Sequence, residues 1–202
     1  MRERNRFDDR LSTTLLVCLV YPLGPAAIIL MPMIVGGLID GYGFTEQDAA
    51  NIAALEGMGL VVSSVLAALW IRRVSWVRAL FVAFLSYAVL NAVSANLDGV
   101  TPLLVARFLT GLAGGSLFAV SVAALGDNRE PDRAFGLGQG VQGVMMLGAF
   151  LAAPYLMQAW NVSALYYMLA AASLLLMLTL MWFPDEGRSR VTSAAGEAHG
   201  GQ

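Results

Sequence analysis

The sequence predicts an all-α integral membrane protein, a bundle of six transmembrane helices, and three observations carry that reading. Of its 202 residues 58% are hydrophobic and 13% charged, against about 25% charged in a soluble domain. Apolar runs recur along the chain, each near the roughly 20 residues that cross a hydrocarbon core. With the exceptions of Glu56 and Arg107, the charges fall between or outside those runs, and all 12 basic residues are arginine. The lone Cys18 sits in an apolar run and the lone His199 in the polar C-terminal stretch. That leaves no His/Cys metal cluster and no Ser-His pair within the membrane. No cofactor, metal or nucleic-acid partner is expected, and no enzymatic activity. The expected partners are the lipid bilayer and a small-molecule solute.

Residues 1–11 are polar and carry Arg2, Arg4, Arg6 and Arg10. The apolar run that follows continues past Leu30, too far for a signal peptide, so it is expected to stay as the first span, residues 12–39. Pro22, Gly24, Pro25 and Pro32 interrupt it. Proline frees backbone carbonyls, so a kinked helix packed against protein or water is expected, serving either packing or gating. Residues 40–49 make a loop with three acids and no base, and residues 50–70 a second span containing Glu56. A short loop with Arg72, Arg73 and Arg78 leads to the third span, residues 79–95, and a turn at 96–100. The fourth span is 101–126. After a polar loop at 127–133, Pro131 signals the start of the fifth span, residues 134–157, rich in glycine at 136, 138, 140, 143 and 148. A turn at 158–163 precedes the sixth span, which ends before Pro184. The six-helix bundle thus covers residues 12–183, and the small, polar residues 184–202 are expected to be a disordered tail.

An even number of spans places both termini on one side. Eleven arginines fall in the N-terminal segment, the second-third and fourth-fifth loops and the tail, and none in the three opposite loops. The excess of arginine in cytoplasmic loops then puts both termini in the cytoplasm of a multi-pass protein of the bacterial inner membrane. Trp70, Trp76, Trp160 and Trp182 all fall at span ends, where indoles favour the interface.

Arg107 and Glu56 are the charges at membrane depth. Each lies about six residues, and so about 9 Å, below the same surface on a span that enters from it. Equal depth permits an ion pair, which offsets part of two desolvation costs. Such a pair either locks two helices together or serves a substrate or proton site, since a carboxylate beside an arginine can exchange a proton for substrate. Asn91, Gln139, Gln142, Ser63, Ser64 and Tyr87 are secondary polar candidates, either interhelical glue or solute ligands. Gly111, Gly114 and Gly115 strip one side of the fourth span of bulk. Gly111/Gly115 and Gly136/Gly140 both have the small-xxx-small spacing that lets helix backbones approach. Gly114-Gly115-Ser116 is similar to a serine-hydrolase turn, but no intramembrane histidine exists to act as base.

The segment Arg107-Phe-Leu-Thr-Gly111, followed by Gly114 and Gly115, resembles the fourth-helix motif of the major facilitator superfamily: an arginine, three residues, then glycine in a glycine-rich helix. The loop with Arg72, Arg73 and Arg78 occupies the place of that family's cytoplasmic motif and supplies its basic part, with Leu69 and Trp70 where its aspartate and glycine pattern would stand. Residues 143–154, with Gly143 and Pro154, are loosely similar to the antiporters' fifth-helix motif. The resemblance implies the N-terminal half of such a transporter, arranged as two three-helix inverted repeats with the first and fourth spans lining the pathway. It implies secondary active or facilitative transport of a small solute, and a substrate or proton-coupling role for Arg107. The rival expectation is a non-transporting scaffold, or a truncated fragment that needs a partner half. A lone half is expected to present the first helix and the Arg107 helix at its surface, and hence to pair with a second half-transporter or form a homodimer.

Overall fold

The computed structural model describes residues 11–183, so the N-terminal arginines and the expected tail at 184–202 lie outside the described residues. All regular structure in the described residues is helical. Five helices are long and apolar enough to cross a membrane: α4 (Glu46–Trp70), α5 (Trp76–Ser94), α6 (Val100–Gly126), α7 (Pro131–Trp160) and α8 (Ser163–Met177), the last continued by a 3-10 turn to Trp182.

Where one kinked first span was expected, the structure has α1 (Leu11–Val20), a 3-10 turn (Tyr21–Leu23), α2 (Ala26–Ile29) and α3 (Met31–Tyr42). The prolines account for each break. Pro22 opens the 3-10 turn, Pro25 is the N-cap of α2, and Pro32 lies in the first turn of α3, positions where a missing N–H costs little. Pro22 is buried, Pro25 half-buried and Pro32 exposed. α3 then runs into the expected loop and ends on Gly43, whose φ of 68° is the left-handed geometry of a helix C-cap. The loop shrinks to Gly43–Thr45 because Thr45 caps α4 by accepting from Asp48 N at 3.1 Å. α7 is three residues longer than expected at each end, running from Pro131 to Trp160.

Three sets of contacts build the bundle: α4 on α6, α5 on both α6 and α8, and α1 on α7. The α4–α6 crossing is the closest. A Cβ on Gly111 would overlap the Glu56 carbonyl oxygen, one on Gly59 the Phe108 carbonyl oxygen, and one on Gly115 the Leu60 carbonyl oxygen. These two helices therefore touch backbone to backbone. Gly114 faces another neighbour: Cβ atoms built on Gly24 and Gly114 would come within 2.7 and 2.8 Å of each other's carbonyl oxygens. The same small-xxx-small spacing on α7 has no such partner, since Gly136, Gly140, Gly143 and Gly148 face open space.

At the α4–α5 corner Arg72 donates to both carboxylate oxygens of Asp127, at 2.5 and 3.0 Å, and lies 5.8 Å from the Trp76 ring centroid. Asp127, from the α6–α7 loop, thus supplies an acid at the corner where the second span ends in Leu69 and Trp70. Trp76 departs from the expected interfacial role. Its indole is fully buried and donates to Ile71 O at 2.8 Å, fastening the corner, whereas Trp160 and Trp182 are exposed.

Candidate functional site

Arg107 is fully buried in α6, and three other helices contribute to its surroundings. From α4, Glu56 accepts two bonds: from Nε at 3.1 Å on Oε2, and from Nη2 on Oε1. From α5, Asn91 accepts from Nη1 at 2.9 Å. The Asn91 amide nitrogen donates to Tyr87 O at 2.9 Å, which fixes its orientation so that the oxygen is the atom facing the guanidinium. From α8, the Tyr166 ring lies 4.7 Å from the guanidinium carbon, within cation–π range. A fork-to-fork pair of this kind is a strong ionic contact, and burial strengthens it further.

The spacing of arginine and glycine has a mechanical reason. Gly111 is four residues beyond Arg107 and so lies on the same side of α6, one turn along. The main chain it admits is that of Glu56 itself. The glycine thus brings the α4 backbone close enough for the short glutamate side chain to reach the guanidinium.

Among the described residues three hydroxyls, Ser64 Oγ, Tyr87 Oη and Tyr166 Oη, are buried without a hydrogen-bond partner. Tyr87 is on the helix of Asn91 and Tyr166 is the residue against Arg107, so the neighbourhood of the ion pair holds unused polar capacity. Tyr166 and Gly59 are the residues that sequence reasoning missed. Tyr166 reads as one more aromatic in an apolar run, and Gly59 as an isolated small residue.

The structure brings Glu56, Asn91 and Arg107 together, with Tyr87 beside them, and leaves Gln139, Gln142 and Ser63 apart. Gln139 is exposed on α7 and donates to Tyr21 Oη at 2.9 Å. Gln142 is half-buried on α7. Ser63 bonds to Ser116 at 2.8 Å across the α4–α6 contact. The expectation that Arg107 stands at an open face is not met, although its helix and the first segment expose Val105, Leu109, Leu15 and Ile28. Arg107 is enclosed by its own chain because Glu56 and Asn91 satisfy it from within, and Val17, Cys18, Val20, Leu23 and Leu30 of the first segment are core residues. The open helix is α7 instead, with only 6% of its most apolar stretch buried.

A broken helix beside five long apolar ones, built around a buried ion pair, defines a polytopic membrane protein of the transporter type. The family model of the Major Facilitator Superfamily matches residues 15–200, and the chain belongs to that family of membrane transporters. A search of curated proteins found no match.

Proposed function

We propose that this chain is the N-terminal half of a transporter that moves a small solute by secondary active or facilitated transport, with Glu56 and Arg107 as its charge-bearing site. The observation that carries the reading is the burial of that pair, with 0% of Arg107 and 3% of Glu56 exposed. Replacing a buried ion pair with apolar residues of similar volume is often neutral or stabilising, so packing alone does not account for two charges here. Protonating Glu56 would remove the guanidinium's counter-charge and leave Arg107 to bind another acceptor, such as an anionic or polar group of the solute. Asn91 would hold the arginine in place through that exchange, while Gln139 and Gln142 on the open helix α7 would meet the solute elsewhere on its path. In this reading the proline-broken first segment acts as a sixth span, the spans form two inverted three-helix repeats, and both termini lie in the cytoplasm at the inner membrane.

The test is proton movement in proteoliposomes challenged with a panel of amino acids, sugars, organic acids and organic cations. At least one solute is expected to shift lumenal pH with the parent chain and not with Glu56→Gln. Equal pH shifts in both would remove Glu56 from the coupling step. For the topology, cysteines placed at Thr45, Gly99 and Asn161 in a Cys18→Ser background are expected to react with impermeant reagent from the periplasmic side. Reaction from the cytoplasmic side alone would invert the arrangement.

A second reading, a scaffold or fragment completed by a partner half or a second copy, draws on the open face of α7, where Val144, Leu147, Leu151 and Tyr155 are all well exposed. Single-molecule photobleaching in bilayers, with flux measured on the same vesicles, separates the two. Two-step bleaching, or flux restored only when a second half is supplied, favours completion by a partner. One-step bleaching with saturable flux favours a chain that transports alone.

A further inference from the structure

A groove of about 810 Å³ lies between α4 and α5, floored by α6, and Glu56, Asn91 and Arg107 do not line it. Its two ends differ in chemistry. At the α4–α5 corner stand Arg73 and Arg78, both exposed, and no side-chain hydrogen bond or ion pair engages either within the described residues. From there the groove runs along α5 past Val82 to Leu90, with Leu109 and Leu112 on the α6 side. The polar groups on its floor are already used: Ser63 and Ser116 bond to each other at 2.8 Å, and Ser116 bonds to Leu112 O at 3.0 Å.

We propose that this groove binds an anionic phospholipid, with the headgroup phosphate held by Arg73 and Arg78 and an acyl chain lying along Val82 and Leu90. Two features select a lipid over a soluble anion. From Ala79 to Leu90 a helix rises about 16 Å, which matches one leaflet of a hydrocarbon core about 30 Å thick. An apolar channel of one-leaflet depth below two arginines without an acidic partner among the described residues is complementary to a charged headgroup on an acyl chain. The corner also carries Trp70 at the end of α4, the residue type that settles at headgroup level.

Native mass spectrometry of the full 202-residue chain, titrated with phosphatidylglycerol and with phosphatidylcholine of the same acyl chains, tests the site. An arginine near an anionic headgroup contributes about fivefold in affinity, so the pair predicts a preference for phosphatidylglycerol of about 30-fold. Arg73→Gln/Arg78→Gln is expected to bring the ratio close to one, and Arg73→Lys/Arg78→Lys to keep most of it. Arg129→Gln/Arg133→Gln removes the same formal charge from the other basic loop and is expected to leave the ratio unchanged. Val82→Trp, which fills the channel, is expected to weaken both lipids. Loss of preference to the same degree in the two glutamine variants would mean diffuse charge and no site. Displacement of phosphatidylglycerol by equimolar glycerol 3-phosphate would mean that the headgroup alone is recognised. Unchanged binding in Val82→Trp would place the acyl chain elsewhere. Each of the three overturns the proposal.

Discussion

Arg107→Ala is expected to destabilise the chain by about 3–5 kcal/mol, the cost of leaving one member of a buried ion pair without its partner. The orphan is Glu56, whose two oxygens lose the Arg107 N–H groups that donate to them, and Asn91 loses the donor to its carbonyl oxygen. Arg107→Lys should fall between alanine and the parent. An ammonium keeps the charge but is too compact to serve both carboxylate oxygens and Asn91 at once while lying against the Tyr166 ring. The check is a double-mutant cycle with Glu56→Gln, read by unfolding in mixed micelles. Glu56→Gln should be far less costly on the Arg107→Ala background than on the parent, because the charge it removes is already unpaired there. Additive costs would mean that the two side chains do not interact in the folded protein.

Gly111→Ala and Gly136→Ala, the same chemical change, should have opposite signs. At Gly111 the new methyl group meets the Glu56 main chain, which no side-chain rotation can relieve, so α4 and α6 must separate. Overpacking of this kind costs about 1–3 kcal/mol. At Gly136 nothing lies within 4 Å of the added carbon, and the substitution is expected to stabilise the helix by roughly 0.5–1 kcal/mol through the backbone entropy that glycine loses on folding. Thermal unfolding of the two variants beside the parent decides it. A stabilising shift at Gly111 would mean that the α4–α6 contact tolerates a methyl group and is looser than described, and a destabilising one at Gly136 that this glycine is packed.

The ion pair was legible because depth can be counted. Glu56 and Arg107 each lie about six residues into a span entered from one side, and helical rise turns equal counts into equal depth. Asn91 could be named but not placed against the arginine, since direction around a helix axis needs the neighbour's position. Tyr166 was hidden for the same reason more strongly, as its sequence environment is a plain apolar run. The glycines show the limit of a spacing rule. Gly111/Gly115 and Gly136/Gly140 have the same spacing, yet one pair meets a backbone and the other meets nothing. Spacing gives a helix the capacity for close approach, and only the fold supplies the helix that approaches. Boundaries differed where a capping group shortened a loop, as at Thr45.

The contact between Gly24 and Gly114 has a mechanical consequence. It falls in the interrupted stretch between the 3-10 turn and α2, where the chain changes from one helical piece to the next. Stiffness along the first segment is therefore uneven: α1 and α3 each resist bending along their own length, while the stretch between them holds fewer regular backbone bonds. Against α6, whose glycines seat it rigidly on α4, this point has the geometry of a fulcrum. The first segment therefore bends most readily at the point where it meets the arginine-bearing helix backbone to backbone.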